Sequence, residues 1–310
     1  MSRPCLPRAG RDTKRAAMNG LHQFSLHAFN KHMRQPTLHP QIAVVDPARL
    51  SDGMPLCFSG NFYAVCFKHT RCGDKRYGRC CQDFQYGTLT FAAPGVPVTI
   101  APEDAAADGI SGLLFCPELF CLKSLAPKRA DYTFFAYAEN EALHLSLPEK
   151  QAVLDCMARL HAELQGDIGR YTLRFAAIWL ELLLDRCRCY YERQFIVRSC
   201  INRQHLAALD TALDAYFSRE GRKSEAESVA LARKALPSLT PAYLDDLVRV
   251  ETGKTLAEYV RVSMLGHIRL RLCSGGQPAA LAEEFGLDDL RPLRLLCSRR
   301  PDCGGPQAVC

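Results

Sequence analysis

Residues 239–259 read LTPAYLDDLVRVETGKTLAEY and carry the signals of two consecutive helices. Thr240 followed by Pro241 is a favourable helix start, because threonine caps free backbone amides and proline needs no hydrogen bond in the first turn. Gly253 is suited to end that helix in a left-handed conformation. Thr255 then opens a capping box, TLAE, at the start of a longer amphipathic helix. The stretch predicts a short helix, a tight stop and a second helix.

A further helical pair follows the long helix. PAALAEEFG reads as a small helix that ends at a tight corner, Gly286, and DLRPLRLLCSRR continues as another helical piece. A small helix, a corner and a second helix are the order of a helix-turn-helix, although any small helical bundle has a similar pattern. Another helix over about 203–218 and a polar, loop-like GRKSEAES precede residue 239. The chain is therefore expected to be helical from about 201 onward.

The middle of the chain also has a helical period. Ser146 and Glu149 form a capping box at the start of one helix, and a second long helix begins near Tyr171. Apolar residues of the second helix recur alternately four and three positions apart: Leu173, Ala177, Leu180, Leu184, Cys187 and Tyr191. Such a stripe can pair with its copy in a second chain, which predicts a homodimer, or it can pack against the preceding domain.

Short β-rich runs separated by glycine and proline fill the first part of the chain. They are NFYAVCFK (61–68), GTLTFAAP (87–94), VPVTIAP (96–102) and SGLLFCP (111–117). Several short strands at close spacing predict a small antiparallel barrel or sandwich. Residues 1–20 are basic and read as a flexible arm.

Composition sets wide limits on function. The 310 residues are 48% hydrophobic and 23% charged, as in ordinary globular proteins, and the formal charge of +6 permits a polyanionic partner without demanding one. The start of the chain has no apolar run long enough for a secretory signal, and no stretch is long and apolar enough to span a membrane. We therefore expect a cytoplasmic protein, with its 16 cysteines reduced and mostly buried.

Several segments resemble one protein family. LTPAYLDDLVRVETGKTLAEYV resembles the first recognition helix and the linker helix of AraC/XylS-type transcriptional regulators, and AALAEEFGL resembles the scaffold helix and turn of their second helix-turn-helix. NFYAVCF and YGRCCQDFQYGTLTFAAPG resemble the cupin-like sensor domain of that family, and NEALHLSLPEKQ through DRCRCYYERQF is similar to its joining helices. The resemblance covers about 60–300 and is most specific in ETGKT-x-x-EY.

The resemblance implies an α+β chain with four parts. These are a flexible basic arm (1–20), a cupin-like sensor β-barrel (21–145), a helical connector that dimerises (146–200) and an all-α double helix-turn-helix domain (201–310). It also implies a sequence-specific transcriptional regulator that binds double-stranded DNA as a homodimer and is not an enzyme. A small-molecule effector in the barrel is an open expectation, and no cofactor, metal or catalytic residue is expected.

Carried over residue by residue, the family pattern gives the candidate DNA-binding residues. On the first recognition helix they are Thr240, Pro241, Ala242, Tyr243, Asp246 and Arg249. On the second they are Asp289, Arg291 and Arg294. Recognition helices enter the major groove N-terminus first, so that early residues reach base edges or phosphates.

The acidic pair Asp245 and Asp246 lies where a DNA-reading helix would be expected to be basic. Carboxylates near the positive N-terminal end of a helix are stabilised by about 0.3–1 kcal/mol, so a structural role is the favoured interpretation. Asp246 could also accept a hydrogen bond from a cytosine amino group. Under the structural interpretation, phosphate contact falls to Arg249, Lys254, Arg261, Arg269 and the arginines at 291–300.

Three departures from the family pattern leave a second interpretation open. VALARKALPS matches the expected first scaffold helix poorly, with Pro237 where that helix should finish. Pro292 falls just inside the second recognition helix, and the ending CGGPQAVC is atypical. The chain can therefore be read as a divergent member that has lost DNA recognition, and otherwise the first unit is expected to dominate.

Other motifs are weaker. GKT at 253–255 resembles the end of a phosphate-binding loop, but Val248 stands where that loop needs glycine. A cupin-type metal-dependent enzyme is the alternative from another class, although the predicted strands contribute only His69. The thiols of Cys66, Cys72, Cys80 and Cys81 could bind zinc or sense oxidants, yet their spacing matches no closed zinc pair, and ordinary barrel cysteines are the favoured interpretation.

Overall fold

The computed structural model describes residues 22–50, 55–69, 76–104, 111–122, 124–166, 169 and 171–287. The chain divides into two compact units, Met1–Arg198 (unit 1) and Ser199–Cys310 (unit 2). The described part of unit 1 contains two small sheets, whereas that of unit 2 is helical, so the α+β class predicted from the sequence is confirmed. The predicted arm at 1–20 lies outside the described residues.

Unit 1 builds its sheets from eight short strands in the described residues. In chain order, they are β1 (His22–Phe24), β2 (Ile42–Val45), β3 (Leu56–Gly60), β4 (Tyr63–Lys68), β5 (Gly87–Ala92), β6 (Val98–Ile100), β7 (Gly112–Phe115) and β8 (Leu143–Leu145). One sheet has the order β1-β3-β6 and the other β2-β7-β4-β5-β8. Each of the four β-rich runs seen in the sequence contains a strand, and all pairs except β1–β3 are antiparallel.

The two sheets share an apolar core with helix α1 (Leu26–His32). Side chains of both sheets meet there, among them Phe58 of β3, Ala64 of β4 and Leu114 of β7, all nearly fully buried. A cavity of about 130 Å³ remains beside β4, β5 and β6. That is small against the roughly 300–1,000 Å³ of ordinary ligand pockets.

Two long helices, α2 (Leu147–Gln165) and α3 (Thr172–Val197), pack together within unit 1 and against β8. The capping box predicted for α2 is confirmed, because Ser146 Oγ accepts from the Glu149 amide and the Glu149 carboxylate accepts from the Ser146 amide. The stripe predicted to dimerise is mostly interior to unit 1: Ala177, Leu180, Leu184, Cys187 and Tyr191 are buried, and Leu173 is half-buried. Of the two interpretations that the sequence left open, the burial of these side chains favours packing within unit 1.

Unit 2 contains five helices in its described part. They are α4 (Ser199–Phe217), α5 (Glu225–Ala235), α6 (Pro241–Thr252), α7 (Leu256–Cys273) and α8 (Pro278–Glu284). Their apolar faces meet in one core, with Leu213 of α4, Ala232 of α5, Val248 of α6, Val260 of α7 and Leu281 of α8 all buried. Across the part of the chain that the structure describes, no helix has the length and apolar character needed to cross a membrane.

The stop between α6 and α7 depends on backbone conformation. Gly253 has φ +70°, and its amide donates to the Arg249 carbonyl at 2.9 Å, as the sequence predicted for the end of this helix. An added Cβ would meet no atom within 4 Å, so the cost of a side chain there is conformational rather than steric crowding by neighbours. Gly266 lies within α7, where an added Cβ is equally free of contacts.

We expect Gly253→Ala to lower the free energy of unfolding by about 1–2 kcal/mol, because an L-residue is strained in the left-handed region. Gly266→Ala should raise it by about 0.5–1 kcal/mol, because alanine favours a helix interior. Urea titration followed by far-UV ellipticity measures both changes, and the fluorescence of Trp179, the single tryptophan, serves as an internal reference for unit 1. If both substitutions changed the free energy of unfolding in the same direction, the conformational role of Gly253 would be contradicted.

Candidate nucleic-acid interface

Helices α5 and α6 are joined by a short turn that ends at Thr240. Ser224 Oγ caps α5 by accepting from the Glu227 amide at 3.2 Å, so part of the segment predicted to be loop is helical. Pro237 lies beyond the last residue of α5 and does not interrupt it. The poor match of this segment to a scaffold helix therefore did not prevent a helix from forming there.

The start of α6 follows the sequence prediction. Thr240 Oγ1 accepts from the Tyr243 amide at 3.3 Å, and Pro241 occupies the first helical position. Pro241 is exposed, whereas Thr240 and Ala242 are half-buried. The beginning of α6 thus offers partly accessible surface at the end where the helix dipole is positive, which is the end that favours a phosphate.

Two of the residues predicted to face DNA lie inside the protein. Tyr243 is 3% exposed and Asp246 is 5% exposed. Asp246 accepts a charge-assisted hydrogen bond from Arg249, one turn along the same helix. A buried side chain cannot reach a base edge, so the DNA-facing role of these two residues is corrected to a structural one.

Asp245 has a structural role as well. Its carboxylate pairs with the Arg233 guanidinium of α5 at 3.2 Å and so connects the two helices. Burial raises the pKa of Asp245 above its ordinary value, although Arg233 acts in the opposite direction. The acidic pair is therefore accounted for by ion pairs within unit 2, in line with the interpretation that the sequence favoured.

Two arginines expected to contact phosphate, Arg249 and Arg261, are paired with carboxylates. Arg261 binds Glu225 through two hydrogen bonds of 2.7 and 3.0 Å. Arg269 is exposed and has no ion pair among the described residues, and Lys254 is half-buried. Arg233, which pairs with Asp245, was not identified from the sequence, although its place in the last turn before Pro237 was a usable signal. Exposed pairs of this kind contribute only about 0–1 kcal/mol, so phosphate can compete for these arginines.

The second predicted unit begins at α8. Glu284 at its end accepts from Lys223 at 2.6 Å and from Arg271 at 2.7 Å, which anchors α8 to the turn before α5 and to α7. The corner at Gly286 has φ +58°, as the sequence predicted. The candidate residues Asp289, Arg291 and Arg294 lie outside the described residues.

The other candidate sites find less support in unit 1. Burial raises the pKa of Cys66 to about 11, and burial together with Asp83 raises the pKa of Cys80. A raised thiol pKa disfavours the reactive thiolate that oxidant sensing requires. Cys81 is exposed, and Cys72 lies outside the described residues. Within the described ranges, no three His, Cys, Asp or Glu side chains are grouped closely enough to hold a metal ion.

Comparison with protein-family models, with curated proteins and with solved structures gives no match. Sequence and structure therefore carry the functional argument by themselves.

Proposed function

We propose that this chain is a sequence-specific DNA-binding transcriptional regulator of the AraC/XylS type, with unit 2 as the DNA-binding part and a cupin-like barrel in unit 1. The observation that carries the proposal is the pair α5–α6, whose turn ends in a capped and partly accessible helix start at Thr240 and Pro241. A helix presented in this way is the usual reading element of a helix-turn-helix. The arrangement, together with the order α5 to α8, agrees with the resemblance seen in the sequence.

Direct contact with DNA is assigned to the accessible residues near the start of α6 and to exposed bases around it. Pro241 and Ala242 supply the surface that approaches the groove, and Arg249, Lys254 and Arg269 supply phosphate contacts. Arg249 is a poor probe of this role, because its removal also breaks the ion pair with the buried Asp246. Ala242 is a better probe because its small side chain can be changed without breaking an ion pair.

We expect purified protein to select one duplex sequence from a random pool and to lose affinity steeply between about 50 and 200 mM salt. Ala242→Glu should weaken binding at least tenfold, since a carboxylate at this position repels phosphate. The same carboxylate lies near the positive helix end, so the variant should remain folded. Electrophoretic mobility shifts over a salt series measure both effects.

The matched control is Ala208→Glu, the same change at an exposed position of α4. It should lower affinity only by the small amount expected from one added charge. Equal losses in the two variants would show that the start of α6 is not the reading surface. Folded protein that binds no duplex at low salt would favour the alternative of a domain that has lost DNA recognition.

The dimer is proposed to form through a different face of α3 from that expected. Tyr171, just before the helix, and Phe175, Ile178 and Leu182 are all exposed, and their alternating four- and three-residue spacing places them on one stripe. A contiguous exposed apolar stripe on a surface helix commonly marks a protein interface.

Charge complementarity favours a second copy in antiparallel orientation on this stripe. Arg174 is exposed at one end, and Glu181 and Asp185 lie towards the other, where both pair with Lys128. An antiparallel copy sets Arg174 of each chain near the excess negative charge of the other. Half-site recognition by two copies then follows from the two-fold symmetry of such a dimer.

A further inference from the structure

An aromatic cavity lies on the face of the larger sheet that turns away from the shared core. Its volume is about 210 Å³, and the rings of Tyr63, Phe120, Tyr132 and Phe135 line it. Each of these rings is more than nine-tenths buried, so their positions are fixed by packing. The cavity is therefore part of the built structure of unit 1, and it is separate from the space between the two sheets.

The rings are set at steep angles to one another. The Tyr63 and Phe120 centroids are 5.1 Å apart with the ring planes at 80°, and those of Tyr63 and Phe135 are 4.7 Å apart at 65°. The small residues Ala93, Ala130, Thr133 and Ala136 also line the wall and leave the space between the rings unfilled. Edge-to-face and offset contacts are the preferred arrangements of aromatic rings, so this lining suits one more flat ring.

Arg129 gives the cavity its charge. It is the single charged residue among those that line the cavity in the described part of unit 1, and its guanidinium carbon lies 6.0 Å from the Phe120 centroid. The side chain is exposed, and no ion pair engages it among the described residues. Its guanidinium is therefore available for an anion from outside.

Nearby carboxylates are already engaged by other groups. Asp131 pairs with Arg188 at 2.9 Å. Asp185 accepts from Lys128 at 2.6 Å and from the Tyr132 hydroxyl at 2.9 Å. A cationic guest, which aromatic rings alone would attract, is repelled by Arg129 at the rim. The charge balance thus favours an anionic guest.

We infer that this cavity is a binding site for a small aromatic carboxylate, whose ring lies among the four aromatic side chains and whose carboxylate pairs with Arg129. The volume of about 210 Å³ is below the roughly 300–1,000 Å³ of pockets for drug-sized ligands, which suits a single ring with a short acid side chain. Planar bidentate pairing is the ordinary way in which arginine recognises a carboxylate. The inference does not depend on DNA binding.

Isothermal titration of the full chain with phenylacetate tests the site without any DNA present. We expect saturable binding, at least tenfold weaker binding of the neutral phenylacetamide, and weaker binding of cyclohexylacetate, which keeps the charge but is not flat. Absence of saturable phenylacetate binding overturns the proposal. Equal binding of the acid and the amide overturns the role of Arg129.

Three variants locate the binding. Arg129→Gln should reduce phenylacetate affinity at least tenfold, and Ala136→Leu, at an exposed residue of the wall, should do so by filling the cavity. Arg159→Gln, which removes an exposed arginine of α2, should leave affinity unchanged. Thermal unfolding of each variant checks that the fold is retained. Phenylacetate binding that survives both Arg129→Gln and Ala136→Leu places the ligand elsewhere and overturns the assignment.

Discussion

Replacing Asp83 with asparagine is expected to lower the free energy of unfolding of unit 1 by about 3–5 kcal/mol. Asp83 and Arg198 form a bidentate ion pair, with Nε to Oδ1 at 2.9 Å and Nη2 to Oδ2 at 2.6 Å. Their side chains are 0% and 8% exposed. The substitution removes the carboxylate that pairs with a buried guanidinium, and breaking a buried ion pair from one side is costly.

The place of this pair in the fold makes its loss important. Arg198 caps the C-terminus of α3 and is the last residue of unit 1, and it also donates to the Gly78 carbonyl at 3.3 Å. Burial alone would raise the pKa of Asp83, but the hydrogen bonds and charge of Arg198 outweigh it and hold that pKa below its ordinary value. A carboxyl whose pKa is lower in the folded protein than in the unfolded chain contributes stability at pH values above its ordinary pKa. That contribution is lost as pH falls through the folded pKa. The effect is therefore fully present at pH 7.

Urea unfolding followed by Trp179 fluorescence measures this change, because the single tryptophan lies in α3 of unit 1. Asp131→Asn is the matched control, since Asp131 pairs with Arg188 in a geometry where both side chains are more than two-fifths exposed. It should cost less than about 1 kcal/mol. If Asp83→Asn and Asp131→Asn lowered the free energy of unfolding equally, the large contribution proposed for the buried pair would be contradicted.

Leu180→Glu is expected to destabilise unit 1 by more than about 4 kcal/mol, enough to unfold it at room temperature. Leu180 is 1% exposed and lies on the face of α3 that completes the core of unit 1. A carboxylate there loses its hydration without gaining a partner. Trp179 fluorescence and far-UV ellipticity in the absence of urea record the loss of structure.

Leu182→Glu, two residues away, should leave unit 1 folded but separate the proposed dimer. Leu182 is 38% exposed, so its substitution should change the free energy of unfolding by no more than about 0.5 kcal/mol. Sedimentation should show a dimer for the unsubstituted chain and a monomer for Leu182→Glu, because the charge falls in the proposed seam. An unsubstituted chain that sediments as a monomer at micromolar concentration, or a Leu182→Glu variant that remains a dimer, would contradict that seam.

Local features of unit 2 could be predicted from the sequence because they depend on residues close together in the chain. Thr240 caps the amide three residues ahead, Gly253 ends the same helix, and Thr255 forms its capping box with Glu258. Each interaction closes within one helical turn and needs no information from elsewhere. The same holds for the strands β4 and β5, whose residue types and flanking turns identified them.

Which face of a helix is buried was decided by the tertiary structure. Helix α3 has apolar residues at Leu180 and also at Ile178 and Leu182, so its pattern does not single out one core-facing stripe. Packing on β8 and α2 selected the stripe that contains Leu180. The burial of Tyr243 on α6 was missed for a related reason, because tyrosine is common both in cores and on binding surfaces.

The sequence by itself thus determined the α+β class, the helix starts and stops and the positions of several strands. The tertiary structure alone decided the pairing of Asp83 with Arg198, which are 115 positions apart, the packing that encloses the aromatic cavity and the burial of Asp246. The physical reason is the range of the interactions. Capping and backbone preference act over a few residues, whereas burial and ion pairing depend on which distant segments the folded chain brings together.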